Sequence, residues 1–75
     1  MDFNFQIVFR VTTLEDGKKE TLYVSFAGQS SKDLNTILDD CVASVTAMPM
    51  QFDYSLVSSN YSPVKNPFED EKKTE

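Results

Sequence analysis

The chain has 75 residues, 40% of them hydrophobic and 25% charged, the balance of one small globular domain. It holds no histidine, one cysteine and two glycines, and its formal net charge is −5. Those counts remove an internal disulfide, a thiolate zinc cage, the commonest general base and a glycine-rich phosphate loop, so neither a catalytic centre nor a cofactor is expected.

The first strand is announced by period two. Phe3, Phe5, Ile7, Phe9 and Val11 alternate with Asn4, Gln6, Arg10 and Thr12, and Val8 is the one exception. A second strand spans about Thr21–Ala27, with Leu22, Val24 and Phe26 as its apolar set. Between them lies Asp16-Gly17, a favoured pair for a type I′ hairpin turn. If these two residues form the turn, Val11 faces Leu22, Phe9 faces Val24 and Ile7 faces Phe26. Every pair is then apolar on both sides, and a slip of one residue would set apolar against polar.

A helix is predicted over Ser31–Ala47. Leu34, Ile37, Leu38, Cys41, Val42 and Val45 recur at steps of three and four, one stripe on a 3.6-residue period. Ser30 or Ser31 is the expected N-cap, Asp33 suits the positive end of the helix dipole, and Pro49 stops the helix. A third strand follows over Met50–Val57, with Met50, Phe52, Tyr54 and Leu56 alternating against Gln51, Asp53 and Ser55. The predicted fold is therefore α+β: a two-layer ββαβ domain over residues 1–61, with a three-stranded antiparallel sheet in the order 2-1-3 and one helix on one face. Residues 62–75 read as a disordered acidic tail with little to bury.

Residues 1–61 carry eight acidic and four basic residues, so most of the acidity belongs to the domain. Clustered bases are what phosphate contacts need, and direct nucleic-acid binding is disfavoured. Met1–Arg10 lacks the apolar run of a signal peptide, no stretch is long enough to span a bilayer, and a cytoplasmic location is expected without membrane contact. The sequon Asn60-Tyr61-Ser62 is then expected to stay unmodified.

Candidate residues fall in four places. Cys41 belongs to the apolar stripe, so a core role outweighs a nucleophilic one. Asp33, Asp39 and Asp40 make an acidic helix face; its plain reading is a solvated surface, and its sharper reading is phosphate mimicry by an inhibitor of the sort mobile elements encode. On the uncovered sheet face, Arg10 and Tyr23 are cross-strand neighbours of the types enriched at binding hot spots, or a platform for a single-stranded nucleic acid. Both outer strands present open edges, and strand three is expected to have no Pro or Lys guarding it. In the tail, Asn66-Pro67-Phe68 resembles the Asn-Pro-Phe ligands of EH domains in eukaryotic endocytic adaptors. Phe68 ahead of an acidic run also resembles the tails by which single-strand-binding proteins recruit partners, although those tails end at the Phe. Together these features suggest a non-catalytic protein–protein interaction module, a small regulator, inhibitor or adaptor. The alternative is a component that self-associates within a larger assembly, so the expected partner is another protein or a second copy of the chain.

Overall fold

A computed structural model describes residues 2–64. The elements in chain order are β1 (Phe3–Glu15), β2 (Lys18–Ser30), α1 (Leu34–Thr46) and β3 (Gln51–Pro63). The three strands form one antiparallel sheet in the order β2-β1-β3, the expected topology, and α1 packs on one face. Asp16 and Gly17 both have positive φ, 51° and 76°, as a type I′ turn requires. The turn sets the predicted register, with Val11 opposite Leu22, Phe9 opposite Val24 and Ile7 opposite Phe26.

The core forms on the central strand. Ile7, Phe9 and Val11 are fully buried against Ile37, Cys41 and Val45 of the helix. Phe9 reaches both outer strands, meeting Phe26 edge-on at 6.0 Å and Tyr54 at 6.2 Å. An α-helix is about 10 Å across and three strands span about 14 Å, so one helix seals the middle strand and leaves both flanks half-covered. Each fully buried Ile, Phe or Val contributes about 1.5–3 kcal/mol to holding the two layers together.

The strands run longer than their apolar patterns. Thr12–Glu15 and Lys18–Glu20 are polar apart from Leu14 and exposed or half-buried, yet they pair through their backbones, which side-chain periodicity does not report. At the other end Phe3 stacks on Tyr61 with ring centroids 4.5 Å apart, and the Tyr61 hydroxyl donates to the Lys32 carbonyl at 2.9 Å. That anchor carries β3 through Ser62 and Pro63, beyond the expected end of the domain at Tyr61. Residues 65–75, with Asn66-Pro67-Phe68 among them, lie outside the described residues.

The helix starts later than predicted. Its N-cap is Asp33, not Ser30 or Ser31, and the Asp33 carboxylate accepts from the Thr36 N–H at 2.9 Å. Ser30 instead accepts from the Lys32 N–H at 3.0 Å and shapes the loop before the helix. Past the helix, Met50 belongs to a turn rather than to strand three. The Gln51 N–H donates to the Met48 carbonyl, with Pro49 second and Met50 third at φ 64°, the left-handed position that a type II turn usually gives to glycine.

Strand β3 carries two bulges. The register against β1 shifts between Val8 and Phe9, where Val57 is the inserted residue, and between Thr12 and Thr13, where Phe52 is. Each insertion breaks the simple alternation expected for this strand. Tyr54 and Leu56 share the helix side with Val11 and Phe9, and Tyr61 returns to that side opposite Phe5 only because Val57 intervenes.

Candidate functional site

The two edges of the sheet follow from the direction of the backbone groups. Glu15 and Lys18 flank the two-residue turn and are therefore a hydrogen-bonded pair, so odd residues of β1 bond to β2 and even ones turn to β3. Two bonds on the β3 side agree: the Leu14 N–H donates to the Met50 carbonyl at 2.9 Å, and the Val64 N–H donates to the Asp2 carbonyl at 3.0 Å. On β2 the even residues consequently bond inward. Lys19, Thr21, Tyr23, Ser25, Ala27 and Gln29 aim both N–H and C=O away from the sheet, and no hydrogen bond occupies those groups among the described residues.

The β3 edge differs. Its two bulges interrupt the row of outward groups, and Pro63 lacks an N–H, so the edge expected to be unguarded is the guarded one. What β3 and the turn before it do expose is apolar surface. Met50, Phe52, Tyr54, Leu56 and Val57 are between 37% and 55% accessible, five large apolar residues within eight positions. The strip wraps the edge: Tyr54 and Leu56 lie on the helix side, while Phe52 sits under the Lys19 ammonium at 4.5 Å.

Beside β2, the helix leaves a groove of about 300 Å³ lined by Phe5, Phe26, Ser30, Ile37 and Cys41, with Lys32 and Asp40 at its rim. The Lys32 ammonium and the Asp40 carboxylate are 3.2 Å apart, an exposed pair worth little in stability. Cys41 is buried here, and burial, followed by the Asp40 charge, pushes its thiol above the usual cysteine range. It stays protonated at neutral pH, and the thiol is the poorer nucleophile.

The acidic face predicted on the helix is divided by the structure. Asp33 caps the helix, and hydrogen bonds from Thr36, its side chain first and its N–H second, hold the Asp33 carboxyl below the usual carboxylate range. Asp40 is paired with Lys32, and Asp39 is exposed. On the opposite face of the sheet, Arg10 and Tyr23 are direct cross-strand partners, both exposed, as their positions implied. Phe68 lies outside the described residues.

One cluster escaped sequence reading. Asn4 lies opposite Gln29 and Gln6 lies opposite Asn60, so four carboxamides share one end of the uncovered face, around a shallow concavity that also touches Ser62. Simple alternation from Phe52 and Tyr54 puts Asn60 on the helix side. The inserted Val57 moves it across, and no glycine or proline marks that insertion in the sequence.

Among the described residues no group of three or more Cys, Asp or Glu is placed to hold a metal ion, and no helix is long and apolar enough to cross a membrane. No protein-family model, no curated protein and no solved structure matches the chain.

Proposed function

We propose that this protein is a non-catalytic protein–protein interaction module that receives its partner along the β3 edge. The observation that carries this reading is the strip Met50, Phe52, Tyr54, Leu56 and Val57, each about a third to a half exposed. Contiguous exposed apolar side chains rimmed by polar residues mark interaction surfaces, and aromatic residues and Met are enriched there. Polar Gln51, Asp53, Ser55 and Ser58 interleave with these residues and follow them along the chain. The bulges suit this use, because they stop the edge from adding strands indiscriminately while turning side chains outward.

The test is a photo-crosslinking residue placed at Leu56, compared with one at Asp39 on the exposed helix surface, in cells that make the protein. A single heterologous protein captured at position 56, absent at position 39 and lost when Tyr54→Asp is added, supports the reading. Equal capture at both positions sinks it. The unbroken β2 edge favours a second reading, self-association.

A further inference from the structure

We infer that the β2 edge pairs with the β2 edge of a second copy, antiparallel about a twofold axis through Val24, to give a six-stranded sheet. The inference stands apart from the β3 reading. Three observations carry it. The outward backbone row of β2 is unbroken over its 13 residues, whereas β3 is bulged twice and ends in proline. Thr21–Gln29 contains no charge and no proline, so the middle of the edge lacks the usual protection against pairing. The third is that the strand is complementary to itself.

Val24 is the midpoint of Lys18–Ser30. With the axis there, Tyr23 pairs with Ser25 of the second copy, Thr21 with Ala27 and Lys19 with Gln29. All are residues whose backbone groups already point outward, so the ladder closes with about twelve new hydrogen bonds. On the helix side Val24 meets Val24, and Leu22 meets Phe26. Leu22 is 36% exposed, and Phe26 lines the groove between α1 and β2, so each copy offers an apolar side chain beside the other's groove. No like charges meet, since Lys18 falls opposite Ser30 and Glu20 opposite Gly28. Moving the axis to Tyr23 would set Glu20 against Phe26, and moving it to Leu22 would set Glu20 against Val24. Although the chain is acidic overall, the only charges on β2 are Lys18, Lys19 and Glu20 at one end of the strand, a net charge of +1, so little repulsion opposes the pairing of two copies.

The experiment is sedimentation equilibrium of the full chain over a concentration series, with two variants. The wild type is expected to approach twice the chain mass. Tyr23→Lys with Ser25→Lys places lysine opposite lysine twice across the axis, and should raise the dimer dissociation constant about tenfold or more without changing the circular dichroism spectrum. Val24→Cys, with Cys41→Ala to remove the native thiol, should oxidise to a covalent dimer, because the residues on the axis form a close pair without hydrogen bonds between them. Ser59→Cys in the same background should not. A strict monomer at every concentration overturns the inference, as does a dimer that crosslinks through Ser59→Cys and not through Val24→Cys. Tyr54→Asp should leave the mass unchanged, so failure at one edge is separable from failure at the other.

Discussion

The two outer strands have the same length and pair with the same central strand, yet they make opposite surfaces. β2 is regular: its backbone row is intact, and its apolar side chains are half-covered by the helix. β3 is irregular: two inserted residues bend it, and its apolar side chains stand out at the edge. Regularity leaves hydrogen bonds to offer, while bulging withdraws them and offers side chains instead. An edge strand therefore advertises either its backbone or its side chains, and this molecule does one on each flank.

The harshest way to break that contrast is to remove what both edges share. Phe9 touches Phe26 on one side and Tyr54 on the other, so Phe9→Ala should cost about 3–5 kcal/mol. A domain this small has few more to lose. Urea unfolding followed by circular dichroism should show the variant largely unfolded, with both edges lost together. A variant that stays folded and loses one flank only would show that the flanks stand independently.

A gentler change sharpens the contrast by asking which way the backbone of β2 points. Val24→Pro removes an N–H that bonds to β1 and leaves a carbonyl partner unmet, at about 1–3 kcal/mol. Ser25→Pro removes an N–H that faces outward, the one setting in which a strand accepts proline, and at concentrations where the chain is monomeric it should cost clearly less. Equal midpoints for the two variants would reverse the assignment of inward and outward residues. Smaller still is a change remote from both flanks. Asp33→Ala removes the helix cap and should lower the melting temperature slightly at neutral pH. Because hydrogen bonding lowers the Asp33 pKa in the folded chain, the ionised form adds stability above the unfolded value. That contribution fades as pH falls through the folded one, so the wild-type advantage should shrink below about pH 4. An advantage that persists at lower pH would show that the carboxylate charge is not what caps the helix.

Much of the fold was legible because independent signals agreed. Asp16-Gly17 and the alternating Phe3–Val11 specify one register between them, and the helical stripe finds the buried Ile37, Cys41 and Val45. The pairing of Arg10 with Tyr23 follows from the same arithmetic. Strand ends were hidden, since Thr12–Glu15 pairs through backbone groups common to every residue. The cap was hidden among three adequate neighbours, Ser30, Ser31 and Asp33, and only Asp33 lies three residues ahead of an N–H it can reach. The surface at the β3 edge was least legible. It depends on Phe52 and Val57 being inserted residues, and neither differs in type from a residue that is not inserted.

The bulge at Val57 gives β3 two reading frames. Before it, Tyr54 and Leu56 lie on the helix side; after it, Ser59 and Tyr61 do. Any side chain that accepts the bend serves to join them, so the fold should tolerate substitutions at position 57. Deletion is another matter. Without that residue the second frame inherits the phase of the first, and Tyr61 turns to the far face. It then loses both its stack on Phe3 and its hydrogen bond to Lys32. At this point in the chain, the count of residues carries more of the specification than their identity.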